Sequence, residues 1–147
     1  MQIITRQAPD KPLTVTIEYP EYTESVRGLV KRIESFDISF SAFSDERRMH
    51  IAMSDVYYLE NVDRKVFLYT KSDVYRLDSS LQELGKIIED SDLVRISRTC
   101  IMNIEHLKEI RQIRNSHLEA VMDNDEKLIV SRKYLGDIKK AFKREGV

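Results

Sequence analysis

The sequence is poor in the residues that build disulfides, phosphate loops and membrane spans. Its 147 residues include a single cysteine, Cys100, so no disulfide can form within the chain, and a reducing compartment is favoured. The four glycines are not clustered, which excludes a glycine-rich phosphate loop. No apolar run approaches the roughly 20 residues of a transmembrane helix, and residues 1–9 lack the apolar stretch of a signal peptide. These absences predict a cytoplasmic protein.

Catalytic and metal-binding groups are also sparse. None of the three histidines stands at metal-ligand spacing from a second histidine or from the cysteine; they are His50, His106 and His117. The acidic run at 123–126 lacks the central glycine and distal glutamate of a calcium loop, so we interpret it as a hairpin turn. We therefore expect no enzyme activity, no metal, no cofactor and no small-molecule substrate.

Charge is balanced overall but unevenly placed along the chain. The net charge is -1, yet residues 127–147 carry seven cations against two acids, and residues 95–114 carry five against two. A near-neutral chain of this kind can present one basic face to an anionic partner. For residues 139–144 we favour the simpler interpretation of a helix with a solvated cationic face.

Apolar spacing predicts a mainly β protein with short helices. Alternating apolar and polar residues separated by turn residues predict strands at 13–19, 38–42, 49–53, 55–60, 65–70, 73–77, 107–113, 118–122 and 127–130. Apolar residues at helical spacing predict helices over 26–36, over 79–88 and after Ser131. The first two helices each have two candidate capping residues, which are Thr23 or Ser25 and Ser79 or Ser80.

The stretch from Asp92 to Asn103 combines apolar residues that can anchor it to a core with polar hydrogen-bond donors. Arginines, hydroxyls and an amide alternate with its apolar residues; these polar residues are Arg95, Ser97, Arg98, Thr99 and Asn103. Two interpretations stay open from the residues alone. The stretch is either a donor surface for an anionic partner or a half-buried strand with a solvated face.

A second polar stretch, Ser131-Arg132-Lys133-Tyr134, stands where a predicted strand gives way to a helix. Backbone N–H groups, the Ser131 hydroxyl and two cations can converge there on a phosphate. Arg132 can instead direct its guanidinium to the O6 and N7 atoms of guanine in a major groove. No helix-turn-helix pattern is present, so base contacts are expected from loops between strands.

Five segments stand in the order typical of one family of bacterial transcription regulators. They are Asp55–Glu60, Arg64–Thr70, Leu81-x-x-Leu84, Val94–Asn103 and Ile129–Tyr134. From about residue 45 to 145 the chain resembles the LytTR DNA-binding domain. The whole chain resembles stand-alone, response regulator-like members of that family. We therefore expect a strand–helix segment over 1–44, for dimerisation or regulation, and a DNA-binding domain over 45–147. Residues 1–44 are too short for a receiver domain, so control through a phospho-aspartate is not expected.

The resemblance implies a LytTR-like fold of several β sheets whose loops read successive major grooves. It makes Arg98 and Arg132 base readers. Supporting or phosphate-contacting roles fall to Arg95, Ser97, Asn103, Ser131 and Lys133. The loop after Glu60 varies within the family and supplies Asp63, Arg64 or Lys65 as further candidates.

This sequence departs from the family pattern at three places. Arg98-Thr99 stands where Lys-Ser or Arg-Ser is usual, which retains the charge and the hydroxyl. Cys100 is unusual, and we expect it only to pack in the core. Asn124-Asp125 replaces the usual Asn-Gly turn, which requires a positive φ at Asp125.

The sequence thus predicts a transcription regulator that binds specific double-stranded DNA as a homodimer. An alternative function is a protein-interaction module that dimerises, or docks a membrane-bound regulatory protein, without binding DNA. The strand and helix predicted over residues 13–36 are its candidate surface.

Overall fold

Ten antiparallel strands and three helices make up the described part of the chain, which confirms the expected mainly β fold. The computed structural model describes residues 1–34, 36, 38–87, 89, 91–114 and 117–144. The helices are α1 (Glu24–Glu34), α2 (Leu81–Ile87) and α3 (Leu135–Arg144). The strands are β1 (Ser39–Ser44), β2 (Arg47–Ala52), β3 (Tyr58–Val62), β4 (Lys65–Tyr69), β5 (Val74–Leu77), β6 (Leu93–Arg95), β7 (Cys100–Asn103), β8 (Leu107–Gln112), β9 (Leu118–Met122) and β10 (Lys127–Val130).

The strands form two sheets that share one of the two cores. The larger sheet has the order β2-β1-β5-β4-β3-β7-β6, and the smaller has the order β10-β9-β8. Alternate residues of the larger sheet point to opposite faces, so Leu59 and Ile101 enter one core while Tyr58 and Met102 enter the other. The first core is closed by α2, and the second by the smaller sheet together with α3.

The N-terminal part of the chain agrees with the sequence only in its helix. The Thr23 hydroxyl accepts a hydrogen bond from the Val26 backbone N–H at 3.4 Å, which identifies the cap of α1. This helix packs on α3, and its Arg32 Nε lies 3.3 Å from Asp92 Oδ2. The strand predicted at 13–19 is wrong for the single chain, because no strand among the described residues pairs with it. Phe36 follows the end of α1 and is 77% exposed, so its predicted place on the apolar stripe is also wrong.

The predicted hairpins are confirmed with shorter turns. Residues 45–46 connect β1 to β2, and 63–64 connect β3 to β4. The predicted strand at 55–60 begins later, because Met53–Asp55 form a 3-10 turn. Ser80 is the cap of α2, since its Oγ accepts from Glu83 N at 3.2 Å.

Some predictions fall partly or wholly outside the residues that the structure describes. These are the apolar position Ile88, the turn residues Asn115 and Ser116, and the side chains of Phe142, Lys143 and Arg144. The proposed division between residues 44 and 45 stays a prediction. The structure places β1 in the same sheet as β3, where Phe43 pairs with Arg76 of β5.

Candidate nucleic-acid interface

The stretch from Asp92 to Asn103, for which the sequence left two interpretations open, forms two short strands joined by a tight loop at 96–99. The loop is anchored by Ile96, which is fully buried and whose N–H donates to the Cys100 carbonyl at 3.0 Å. The Ser97 hydroxyl accepts from Thr99 N at 3.3 Å, which tightens the turn. Arg98 projects into solvent at its tip. The sequence pattern did not distinguish a strand from a loop, because the same buried apolar residues can anchor either one.

Arg95 stabilises this loop through a hydrogen bond to its backbone. Its Nη1 donates to the Arg98 carbonyl at 2.9 Å, so at least one of its donors is occupied within the chain. The side chain is partly buried, whereas Arg98 itself is exposed. Arg95 therefore positions the backbone of the residue that was expected to read bases.

Asn103 does not reach the surface, so of the two roles expected for it, support or phosphate contact, its position fits support. Its side chain is 0% exposed. The amide Nδ2 donates to the carbonyls of Met53 at 3.2 Å and Val56 at 2.7 Å, and Oδ1 accepts from Glu105 N at 3.0 Å. A buried carbonyl or N–H without a partner is costly, and Asn103 satisfies three such groups.

Backbone hydrogen bonds join the three segments that the sequence singled out. The Ser131 N–H donates to the Ile96 carbonyl at 2.8 Å, and the Asn61 N–H donates to the Thr99 carbonyl at 2.8 Å. Residues far apart in sequence thus meet at one end of the larger sheet. We call residues 61–65, 96–99 and 131–134 the loop cluster.

The loop cluster is strongly cationic. Its five basic side chains are all exposed; they are Arg64, Lys65, Arg98, Arg132 and Lys133. Its only carboxylate is Asp63. Several cations close together on loops that hydrogen bonds hold in place suit a phosphate-rich partner.

In the other two loops of the cluster, residues 61–65 and 131–134, local features determine the backbone conformation. Asp63 and Arg64 have φ values of 51° and 66°, so they form the tight two-residue turn that matches the twist of a β hairpin. Arg132–Tyr134 form a 3-10 turn that leads into α3, and Lys133 Nζ lies 5.5 Å from the centroid of the Tyr134 ring. The Ser131 N–H is already bonded to Ile96, so it is not available to a phosphate.

Cys100 lies beneath the loop cluster and is buried, as expected. Burial, followed by the nearby Glu60 carboxylate, raises the pKa of its thiol to about 12, against an opposing effect of Arg95. The thiol therefore stays protonated at neutral pH, which makes it a poor nucleophile.

The opposite end of β3 contains a polar cluster that sequence reasoning missed. The Tyr57 hydroxyl donates to Asp123 Oδ1, and the Tyr58 hydroxyl donates to Glu126 Oε2 at 2.6 Å. The His106 ring stacks on Tyr57 at 4.1 Å between centroids, with Nδ1 3.3 Å from Asp123 Oδ2. We call these five residues the β9–β10 clasp, because they fasten the turn between β9 and β10 to the larger sheet.

Electrostatics in the clasp follow from these bonds. Burial and the hydrogen bond to Asp123 raise the pKa of Tyr57 to about 12. In return the Tyr57 hydroxyl lowers the pKa of Asp123 below its ordinary value, with a smaller contribution from His106. Burial and Glu126 also raise the pKa of Tyr58. The acidic turn predicted at 123–126 is confirmed, and its carboxylates act as structural acceptors.

Two other types of feature are absent from the described residues. They contain no group of three or more His, Cys, Asp or Glu side chains that could hold a metal ion. No helix among them has the length and apolar character needed to cross a bilayer.

Comparison with known proteins finds one recurrent domain. Residues 46–143 match the LytTr DNA-binding domain family. The chain is 33% identical over 86 residues to the sensory transduction protein LytT of Bacillus subtilis, which covers 58% of this chain and 36% of LytT. It is 27% identical over 89 residues to the transcriptional regulatory protein YpdB of Escherichia coli, covering 60% and 36% of the two chains. A solved LytTr DNA-binding domain from Bacillus cereus aligns with a TM-score of 0.65 at 26% identity, covering 71% of this chain and 95% of that chain.

The length of these matches limits what they transfer. The chain spans 36% to 40% of the length of the curated relatives it matches. The structural match covers nearly all of the solved domain, so it supports the LytTr fold. The family is a DNA-binding domain family and not an enzyme family.

Proposed function

We propose that this chain, which belongs to the LytTr DNA-binding domain family, is a transcription regulator that binds specific double-stranded DNA through the loop cluster. One observation supports this most strongly. Two backbone hydrogen bonds, Ser131 N to Ile96 O and Asn61 N to Thr99 O, hold three cationic loops at one end of the sheet. Such preorganisation lowers the conformational entropy lost when the loops bind a partner.

The basic residues of the loop cluster, and the side chains that support them, each have a role in this proposal. Arg98 and Arg132 enter major grooves and contact base edges, since a guanidinium can bond two acceptors of guanine at once. Lys133 contacts phosphate, and the Ser131 hydroxyl supports it. Arg64 and Lys65 supply a third contact from the β3–β4 turn, which is joined to the middle loop through Asn61. Arg95 and Ser97 position the backbone on which Arg98 stands.

A homodimer on paired half-sites completes the proposal. Two copies double the number of cations that face the duplex, and their symmetry matches a pseudo-palindromic operator. Residues outside the matched family segment, above all 1–44, are the proposed source of dimer contacts.

Substitution of two adjacent cations separates base reading from phosphate binding. We expect Arg132→Ala to weaken specific binding by about 1–3 kcal/mol and to relax sequence preference. Lys133→Ala should weaken binding to all sequences alike and flatten the salt slope by about one unit. Mobility shifts on the upstream region of the protein's own operon, at several salt concentrations, measure both effects.

Lys139→Ala is the matched control, because this exposed lysine lies on α3 outside the loop cluster. It should change affinity much less than either variant of the 3-10 turn. Unchanged affinity and sequence preference in Arg132→Ala would remove Arg132 as a base reader. Equal losses in all three variants would point to general charge attraction instead of a defined interface.

A protein-interaction module is the second candidate function, and one feature favours it. Leu13 and Val15 are 95% and 59% exposed, although they lie in a segment with strand-like alternation. A surface of this kind suits another protein better than DNA. The membrane-bound regulatory partner stays a prediction. This function would replace the first if the protein dimerised but shifted no DNA at low salt.

A further inference from the structure

Residues 13–19 have the pattern of a strand but pair with no strand among the residues that the structure describes. Leu13, Val15, Ile17 and Tyr19 fall on one face of an extended chain, with Thr14, Thr16 and Glu18 on the other. In the single chain Leu13 is 95%, Val15 59% and Tyr19 48% exposed. Leaving apolar side chains in water on this scale forfeits stabilisation that pairing would supply.

Strand β2 offers an open edge of similar length. It is the terminal strand of the larger sheet, and within the described residues only β1 pairs with it. Residues 47–50 are exposed, including Met49 at 39%. The other terminal strand, β6, is packed against α3. An unprotected edge of six residues is a template for a further strand.

We propose that residues 13–19 of one copy add to β2 of a second copy as an antiparallel strand, and that the exchange is reciprocal. The inference rests on the homodimer of the proposed function and names its interface. All the pairs already in this sheet are antiparallel. A reciprocal exchange gives a closed two-fold dimer instead of an open chain.

Side-chain parity supports one arrangement. On β2, Ile51 faces the first core, so Met49 shares that face while Arg48 and His50 lie on the other. If the apolar face of the segment continues the core face, Glu18 necessarily falls on the Arg48 face. The register with Glu18 opposite Arg48 also sets Ile17 opposite Met49 and Val15 opposite Ile51.

Charge complementarity favours the same pairing. The segment and its flanks, residues 10–24, contain four acids and one cation. Strand β2 contributes Arg47 and Arg48, and neither forms an ion pair within the part of the chain that is described. Arg48 instead lies 5.2 Å from the centroid of the Phe43 ring. Opposite charges placed across two strands stabilise pairing and select its partner.

Disulfide trapping tests the register directly. In the proposed pairing Thr16 of one copy lies opposite His50 of the other, and both side chains are exposed in the single chain. The double variant Thr16→Cys/His50→Cys should form a covalent dimer under mild oxidation, seen on a non-reducing gel. The natural Cys100 is buried and should not interfere. Thr16→Cys/Gln112→Cys, with the second cysteine on the edge strand β8, is the matched control and should stay monomeric on the gel.

Three results would overturn the inference. A disulfide that forms within one chain would place the segment on its own β2. Equal trapping with the control would indicate random collision, and no trapping in either variant would exclude this register. None of these readouts uses DNA, so loss of the interface and failure of DNA binding are observed separately.

Proline substitution gives a second, independent measurement. Alternate N–H groups of an added strand face its partner, so either Val15→Pro or Thr16→Pro removes a ladder hydrogen bond. We expect at least one of them to raise the dimer dissociation constant on the order of tenfold or more, measured by sedimentation or light scattering. Thr5→Pro is the control, and it should leave the constant unchanged.

The folded domain should be unaffected by either change, because the segment pairs with no strand in the described part of the single chain. Thermal unfolding of the monomer at low concentration checks this. If both proline variants dimerise like the wild-type protein, the segment is not the interface. A wild-type protein that stays monomeric at high concentration would reject the homodimer as a whole.

Discussion

The two ends of strand β3 are held by different kinds of bond. At its C-terminal end the loop cluster is joined by backbone hydrogen bonds, from Asn61 to Thr99 and from Ser131 to Ile96. At its N-terminal end the β9–β10 clasp is joined to β3 by side chains, through Tyr57 with Asp123 and Tyr58 with Glu126, beside one backbone hydrogen bond from Asp123 N to His106 O. The strand is five residues long, so its first and last Cα atoms lie only about 13 Å apart.

This difference separates binding from stability. Exposed side chains such as Arg98 and Lys133 are not needed for the backbone bonds that hold the loops, so they can serve a ligand. In the clasp the side chains themselves connect the two sheets, and their removal weakens the fold. We therefore expect loop-cluster variants to lower DNA affinity at constant stability, and clasp-end variants to do the reverse.

The largest effect should come from Asn103, which lies at the clasp end of β7. Replacing it with alanine removes the partner of the Val56 carbonyl and of the Glu105 N–H, while the Met53 carbonyl keeps the Val56 N–H as a donor. We expect Asn103→Ala to lower the free energy of unfolding by about 2–4 kcal/mol. Urea denaturation measures this loss, and DNA affinity of the folded fraction should stay near the wild-type value.

Gln112→Ala serves as its control, since this exposed residue on β8 should change stability by less than about 0.5 kcal/mol. A large loss of DNA affinity in fully folded Asn103→Ala would break the separation of the two ends. It would mean that the clasp end transmits strain to the loop cluster.

A smaller effect is expected from Tyr57→Phe, which keeps the stacked ring and removes only the hydroxyl. The Asp123 carboxylate then loses a donor that stabilises its charged form. We expect a loss of roughly 1 kcal/mol at pH 7, moderated because Asp123 is half exposed. Urea unfolding at pH 7, with DNA binding as the second readout, measures it.

The pH dependence of this variant sharpens the assignment. The folded pKa of Asp123 is lowered from its ordinary 3.8, so its contribution is complete above that pH and is lost as the pH falls through the lower folded value. The difference in the free energy of unfolding between wild type and Tyr57→Phe should therefore shrink as the pH falls from roughly 5 to 2. This range follows from the ordinary carboxyl pKa and from the downward direction of its shift. A difference that stays constant over this range would show that the hydroxyl acts without the carboxylate charge.

Short-range patterns predicted most of the fold. Alternation located β1, which is buried at every second residue over 39–42, while apolar runs bounded by turn residues located β3, β4 and β9. The same rule failed at residues 13–19, where alternation is present but no partner strand lies among the described residues. Alternation shows that a segment can pair, and it does not show with what.

The candidate site was predictable only in part. The cations Arg98 and Arg132 were found because polar residues on an apolar footing, and the family resemblance, marked their segments. The clasp was missed because Tyr57 and Asp123 are 66 residues apart and neither stands in a local motif. The role of Asn103 was left open between support and phosphate contact, because one sequence cannot separate an amide that bonds a phosphate from one that bonds buried carbonyls.

The smallest effect concerns the turn of the clasp, where the sequence did predict the backbone. Asp125 has a φ of 67°, as its position in the turn requires. Glycine adopts this conformation without the steric cost of a Cβ atom, so Asp125→Gly should raise the free energy of unfolding by roughly 0.5–1 kcal/mol. The exposed ion pair between Asp125 and Lys108, at 3.6 Å, adds little to oppose this gain.

Asp125→Ala is the matched variant for this turn. It loses the same ion pair but keeps a Cβ atom, so it should be less stable than wild type under the same urea titration. Equal shifts for glycine and alanine would assign the effect to charge and not to backbone conformation. Because Asp125 bonds neither tyrosine of the clasp, a gain in Asp125→Gly would also show that the turn is strained independently of the bonds that fasten it. If Asp125→Gly is more stable than wild type but binds DNA with the same affinity, stability has been gained at the clasp end without an effect on the loop cluster. That result would also support the separation of the two ends.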